Sequence, residues 1–340
     1  MAPRAPAPHF SLLIRRRSFL VQAATLAAAG GAAWWLRDNV IWPPPKPVFT
    51  DGAPSSGWLA FEARPPRIVI VDVTVNGTPA RALLDSGAQS SVVDRGLADR
   101  LALPVSPIAP VLAYGVSGAP QIGRSVALDL QAGSLRLPGL RAALIDLAPI
   151  AAASGRPFDL IIGQDVLRTV IADVDFPKGR LAFHDARRHT LPPGALPSPA
   201  RSEGRDLLVP IIVESKPWEV VLDTGASGAL ALSPESARAL GLLDGRHVET
   251  APSITFGGLS RDRVVRARTL TFAGVEATDV RVHIYSPAHG ARVPAGLLGV
   301  EVLERFRIIL DLGQGRLHLV PGPPAPSDAA SRVNRRRNRR

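Results

Sequence analysis

Two stretches of the chain repeat one another. Ala82 to Val93 reads ALLDSGAQSSVV, and Val220 to Leu232 reads VVLDTGASGALAL. Each is an apolar run ending in Asp, then a small hydroxyl residue, Gly and Ala. Asp85, Ser86 and Gly87 correspond to Asp223, Thr224 and Gly225 at an offset of 138. A single Asp-Ser-Gly after a strand reads as a turn and no more. Here each copy has further landmarks. DLIIGQDVL (Asp159 to Leu167, around Gly163) matches GLLGVEVLERF (Gly296 to Phe306, around Gly299) at an offset of 136. Asp175, Gly179, Arg180 and Leu181 match Asp311, Gly315, Arg316 and Leu317 at the same 136. Three landmarks in one order and nearly constant spacing indicate an internal duplication. The unit of about 115–120 residues is the size of one domain.

Composition narrows the chemistry. The net charge of +11 sits mostly at the ends: Arg4, Arg15, Arg16 and Arg17 at the start, and six Arg after Arg316 with only Asp328 against them. The two ends carry +9, which leaves the body without a basic nucleic-acid face. A tail that binds nucleic acid or anionic lipid stays open. With no Cys, disulfides, thiolate nucleophiles and Cys-ligated metals are excluded. The seven His form no HExxH or other close ligand pattern, so no metal or cofactor is expected. Ser90, Ser91 and Ser227 lie outside any GxSxG, and there is no P-loop or GxGxxG. The carboxylates of the repeated turns remain as candidate catalytic groups.

Local patterning points to an all-β fold. Strands are expected over Arg67–Val75, Ala80–Leu84, Ser125–Leu130, Leu135–Leu137, Ala142–Leu147 and Phe158–Ile162, with a hairpin at Asn76-Gly77 and a closing hairpin over Val174–Phe183. The second unit repeats them over Leu207–Val213, Glu219–Leu222, Val264–Phe272, Ala277–Ile284 and Ile308–Val320, with a short helix over Ser233–Leu240 capped by Ser233. Residues 1–37 read as an export signal or membrane anchor, 38–65 as a Pro/Gly spacer, 66–184 and 206–320 as the two domains, 185–205 as a linker and 321–340 as a disordered basic tail. Arg16-Arg17-Ser18-Phe19-Leu20 resembles a twin-arginine signal, and residues 18–36 form an uncharged run suited to membrane association. Both routes place the body in the periplasm or on the outer face of a bacterial inner membrane.

Duplication brings the carboxylates together. Two like domains packed about a pseudo-twofold axis set each loop near the axis against its counterpart. Unit charges ~3 Å apart repel by roughly 5 kcal/mol at an effective dielectric near 20, so Asp85 and Asp223 would share one proton. The ionised member can take a proton from water and the protonated one can donate to a peptide carbonyl. Ser86 and Thr224 can hydrogen-bond across the axis, Gly87 and Gly225 permit a tight turn, and Ala88 and Ala226 keep the floor small.

The residues Leu83-Leu84-Asp85-Ser86-Gly87-Ala88, Val221-Leu222-Asp223-Thr224-Gly225-Ala226, Ile161-Ile162-Gly163-Gln164-Asp165 and Leu297-Leu298-Gly299-Val300-Glu301 resemble the retropepsin-like aspartic proteases, bacterial members included. The resemblance implies two tandem retropepsin-like β-barrel domains in a bilobal arrangement, a catalytic Asp in each, a self-contained monomer and a peptide or protein substrate. It also implies flaps, with Tyr114, Gly115 and Gly118 at one tip and Phe256, Gly257 and Gly258 at the other. The chain departs from even repetition at Gln89-Ser90-Ser91 against Ser227-Gly228-Ala229 and at Asp165 against Glu301, which is expected to make the cleft asymmetric. A non-catalytic envelope module that holds an extended peptide by strand addition is the alternative. A structural duplicated barrel with turn aspartates is a third.

Overall fold

In the computed structural model of the protein the described residues are 42–62, 64, 67–113, 121–255, 258–286 and 293–322. Residues 1–37, expected to be an export signal or membrane anchor, residues 323–340 of the expected tail and the flap candidates Tyr114, Gly115, Gly118, Phe256 and Gly257 lie outside them. Of the unit up to Pro44, residues 42–44 are described and hold no helix or strand. The second compact unit begins at Pro45 and holds all the elements that follow. Among the described residues no helix is long and apolar enough to cross a membrane.

Two short strands come first, β1 (Val48–Phe49) and β2 (Leu59–Ala60). The first half then runs β3 (Ile70–Val75), β4 (Thr78–Leu84), β5 (Val92–Asp94), α1 (Arg95–Arg100), β6 (Val105–Ala113), β7 (Gln121–Ala132), β8 (Leu135–Ile145), α2 (Ala148–Ser154), β9 (Leu160–Ile162), α3 (Gln164–Leu167), β10 (Ile171–Asp175) and β11 (Arg180–His184). A connecting segment carries β12 (Leu196–Ser198) and β13 (Arg201–Glu203). The second half runs β14 (Asp206–Val213), β15 (Lys216–Leu222), β16 (Leu230–Leu232), α4 (Pro234–Ala239), β17 (Glu249–Thr255), β18 (Gly258–Phe272), β19 (Val275–Ile284), β20 (Gly296–Leu298), α5 (Val300–Leu303), β21 (Phe306–Asp311) and β22 (Arg316–Pro321).

Each half closes into a six-stranded ring. The first ring runs β8-β5-β9-β4-β3-β7 and returns to β8; the second runs β14-β15-β20-β16-β19-β18 and returns to β14. Closure removes the sheet edges that such alternating strands would otherwise expose. Val, Leu and Ile fill the rings, and few aromatics are needed: Phe272 meets Phe306 edge to face at 5.7 Å and Phe61 meets Phe176 at 5.9 Å. The expected hairpin forms with Asn76 and Gly77 both at positive φ, 49° and 80°, as a two-residue turn between twisted strands requires. Ser233 caps α4 by accepting from the Ser236 N–H at 3.0 Å.

Some elements differ from the sequence expectation. The two strands expected at Leu135–Leu137 and Ala142–Leu147 are one strand, β8, which passes through Pro138-Gly139 as a bulge. Leu128 faces Leu140 and Leu130 faces Leu137, so two residues oppose Asp129 alone. Gly139 takes the positive φ of 62° and its N–H donates to the Asp129 carboxylate at 2.7 Å. The Pro-rich segments read as a spacer and a linker hold β1, β2, β12 and β13, and all four lie at the outermost position of a sheet, where a missing N–H costs least. The helix α2 had no expected counterpart.

A third sheet joins the halves, in the order β12-β22-β21-β10-β11-β2. At its centre β10 of the first half pairs antiparallel with β21 of the second, from Ala172 against Leu310 to Asp175 against Arg307. Asp173, fully buried on β10, accepts from Arg307 Nε at 2.8 Å and Nη2 at 2.6 Å. The Nε2 of His184 lies 3.5 Å from the same carboxylate. Burial works against the charge on Asp173, but the Arg307 and His184 hydrogen bonds together outweigh it and hold the carboxyl below its ordinary range.

Candidate active site

The strand β4 runs parallel to β9, and β15 runs parallel to β20, so each Asp emerges from the middle of a sheet and not from an edge. The Asp85 N–H donates to the Ile162 carbonyl at 3.0 Å, and the Asp223 N–H donates to the Leu298 carbonyl at 3.0 Å. Behind each loop the next landmark holds the turn. The Gln164 N–H donates to the Ala88 carbonyl, and the Val300 N–H to the Ala226 carbonyl, both at 2.8 Å.

The two loops meet across the axis through reciprocal hydrogen bonds. The Ser86 N–H donates to Thr224 Oγ1 at 3.0 Å and the Thr224 N–H donates to Ser86 Oγ at 3.0 Å. The hydroxyls in turn donate to strand carbonyls of the opposite half, Ser86 Oγ to Leu222 at 2.8 Å and Thr224 Oγ1 to Leu84 at 3.0 Å. Both side chains are buried, so neither set of partners is replaced by water. Ser86→Ala is expected to strand the Thr224 N–H and the Leu222 carbonyl and to destabilise the fold by about 2–3 kcal/mol. Urea denaturation of the variant measures this; an unchanged midpoint would remove the loop bond from the account of stability.

That clamp sets the carboxyls of Asp85 and Asp223 in hydrogen-bond contact. Each keeps one oxygen on its own loop. Asp85 Oδ1 accepts from the N–H groups of Gly87 at 2.8 Å and Ala88 at 2.9 Å. Asp223 Oδ1 accepts from Gly225 at 2.8 Å and Ala226 at 3.2 Å. The glycines are required by the approach of the opposite carboxyl: a methyl on Gly87 would fall 2.7 Å from Asp223 Oδ2, and one on Gly225 would fall 2.6 Å from Asp85 Oδ2. Burial raises the Asp85 carboxyl, and the Ala88 and Gly87 N–H groups work against that rise. Burial and then the charge of Asp85 push Asp223 well above the usual carboxylate range. Both carboxyls are thus raised together, and the pair holds one proton between them. Among the described residues no three His, Asp or Glu side chains are grouped to hold a metal ion.

Residues 71–166 and 209–302 match the family described as Aspartyl protease, one match on each half and together more than half of the chain. The chain belongs to the aspartyl protease family. As an aspartyl protease of the retropepsin-like kind, it is similar to DNA damage-inducible protein 1 of Cryptococcus neoformans, 27% identical over 139 residues, which are 40% of this chain and 30% of that protein. The protein of the same name from Neurospora crassa is 30% identical over 118 residues, 34% of this chain and 25% of that one. Protein DDI1 homolog 2 of Xenopus laevis is 27% identical over 169 residues, 48% of this chain and 41% of that one. The matches thus span less than half the length of these curated relatives.

The two halves of this aspartyl protease differ around a common plan. Asp165 does not shape the cleft, as its contrast with Glu301 had led us to expect. It is buried behind the first loop, where its Oδ1 accepts from the Ser91 N–H at 2.9 Å and Oγ at 2.7 Å. In the second half Ala229 stands in place of Ser91, and Glu301 is exposed. The asymmetry near the pair comes instead from residues that sequence patterning did not single out for it. Ile145 and Ile284 end β8 and β19 at matching register against β5 and β16, so Asp146 and Tyr285 are counterparts. Asp146 is exposed and accepts from the Ala148 N–H at 3.1 Å, starting α2. Tyr285 is buried beside Val221 and Leu297. Burial, then the charges of Asp223 and Asp262, push its phenol well above the ordinary value, so it stays neutral. The available signal was its place as the first residue after an alternating strand whose preceding Ile faces the core. Gly258 is the one flap candidate among the described residues; it pairs with Thr255 at the end of β17 and β18.

Proposed function

We propose that the protein hydrolyses internal peptide bonds, with Asp85 and Asp223 acting on one water. The observation that carries this reading is the contact between the half-buried carboxyl of Asp85 and the buried one of Asp223, each anchored by two loop N–H groups and clamped by Ser86 and Thr224. Asp85, ionised, takes a proton from the water as its oxygen bonds to the carbonyl carbon. Asp223 gives its proton to the carbonyl oxygen. The tetrahedral diol then collapses: Asp85 returns its proton to the nitrogen, Asp223 takes one from a diol hydroxyl, and the C–N bond breaks. Acid and amine leave, and the pair again holds one proton. Both carboxyls come from one chain, so one chain supplies a complete pair, and an extended peptide is the substrate.

The test is hydrolysis of an unbiased peptide mixture by the full chain across a pH series. A bell-shaped profile is expected, because activity requires one carboxyl ionised and the other protonated. The two limbs report the two titrations of the pair as a unit, its first ionisation on the acidic side and its second on the basic side. Peptide bound with no turnover at any pH would replace this reading with that of a peptide-holding module.

A further inference from the structure

Gln164 has no place in the reaction as written, yet it is fully buried directly behind the Asp85 loop. Its Nε2 donates twice: to the Ser86 carbonyl at 2.8 Å and to Asp206 Oδ1 at 3.2 Å. Both partners are acceptors, which fixes the orientation of the amide. Asp206 opens β14 and belongs to the second half, so the amide reaches across the axis as well as onto the loop. Beside it, Arg205 Nη1 donates to the Gln89 carbonyl at 3.3 Å.

The Ser86 carbonyl and the Gly87 N–H are the two ends of one peptide unit. Gln164 donates to its oxygen, and its N–H donates to Asp85 Oδ1 at 2.8 Å. A hydrogen bond to a peptide oxygen strengthens the same peptide as a donor, because the chain of bonds polarises cooperatively. Donation to a carboxylate favours its charged form. In the second half this position is Val300, which has no side-chain donor for the Thr224–Gly225 peptide that serves Asp223. The relay is therefore one-sided: it reaches Asp85 and has no counterpart at Asp223.

We propose that Gln164 is a positioning residue that fixes the Ser86–Gly87 peptide and thereby keeps the charge of the pair on Asp85 and the proton on Asp223. The inference rests on the proposed proteolytic reading for its purpose, but its physical content concerns the carboxyls themselves. Among the described residues, the ionisable or charged groups near the pair include Asp206 and Arg205 behind the first loop and, on the Asp223 side, the neutral phenol of Tyr285 with Asp262 beyond it. Asp165, next in sequence, is turned away to Ser91.

The test is made on the full chain carrying Gln164→Leu, which keeps the buried volume and removes the donor. Removing it destabilises ionised Asp85, so the lower carboxyl titration should move up. Carboxyl carbon NMR of aspartate-labelled protein, assigned with Asp85→Asn and Asp223→Asn, is expected to show a rise of about half a unit to one unit. The acidic limb of kcat/KM should shift up with it, at a KM changed less than about twofold, since the lost group touches no substrate. Gln164→Met also removes the donor while keeping an unbranched side chain of similar length, and should give a shift of the same sign; it serves where Gln164→Leu does not fold. A lowered melting temperature with both titration and acidic limb unmoved in either folded variant would overturn the proposal, since a merely structural brace predicts that result. If the unmodified protein hydrolyses nothing, the NMR titration still decides on Gln164, and only the proteolytic reading falls.

Discussion

Replacing Asp223 by Asn is expected to leave a folded protein that hydrolyses peptides at least about 10³-fold more slowly, and Asp85→Asn is expected to do the same. Asn keeps the shape of the side chain and its oxygen can still accept from Gly225 and Ala226, as Asp223 Oδ1 does at 2.8 and 3.2 Å. What it removes is the proton that the carbonyl oxygen must receive. The two carboxyls act as one unit, so the double variant should lose little beyond either single one. Circular dichroism and thermal melting establish that each variant is folded. The pair holds one proton and so one charge, and an Asn amide can donate to the remaining carboxyl as the protonated partner does, so either Asn variant should be no less stable at neutral pH. Full turnover in a well-folded Asp223→Asn protein would sink the carboxyl pair as the catalytic device.

Asp173→Ala should produce the largest loss of stability. The substitution leaves the Arg307 guanidinium inside the shared sheet without its two hydrogen bonds of 2.6 and 2.8 Å. Breaking one side of a buried pair costs about 3–5 kcal/mol, a large part of the roughly 5–15 kcal/mol that holds a typical protein folded. A fall in melting temperature of about 10 °C follows at ~2–4 °C per kcal/mol. The pH dependence provides a second check. Asp173 is held below its ordinary value in the folded state. Its stabilisation is thus complete above the unfolded value near 3.8 and fades as pH falls through the lower folded one. The gap between native and variant melting temperatures should be constant at neutral pH and narrow in strong acid. A gap that widens in acid would assign the stabilisation to another group.

Much of the fold was legible because it is written in short-range alternation. β14 and β15 enclose a tight turn, and their inward residues, Val209, Ile211, Val220 and Leu222, stand at every second place. The clamp was legible for a different reason: Ser86 and Thr224 recur at one offset beside the repeated Asp, and an axis forces counterparts to meet. The shared sheet could not be read. Ile171–Asp175 contains two acids, a composition that suggests a turn, and its central Asp is tolerated only because Arg307, 134 residues later, reaches it. No local pattern carries a pairing of that range. Gln164 was visible as a polar residue after an Ile-Ile-Gly run, but its role depends on which peptide it faces. Gly139 misled because a glycine inside a strand marks an end or a bulge, and only the register of Leu128 and Leu130 tells which.

Fusion of the halves also changes what the cleft can distinguish. In a pair of identical chains every substitution appears twice, and a bound peptide can lie in either of two directions with equal energy. Here Gln164 stands opposite Val300, and exposed Asp146 opposite buried Tyr285. Each change is made once, so one wall can be altered without burdening the other. The two carboxyls are then unequally supported, and on the proposed reading a peptide reversed across them exchanges partners that are no longer equivalent. Under that proposal the unequal pair gives its substrate an arrow, amino end toward one half and carboxyl end toward the other.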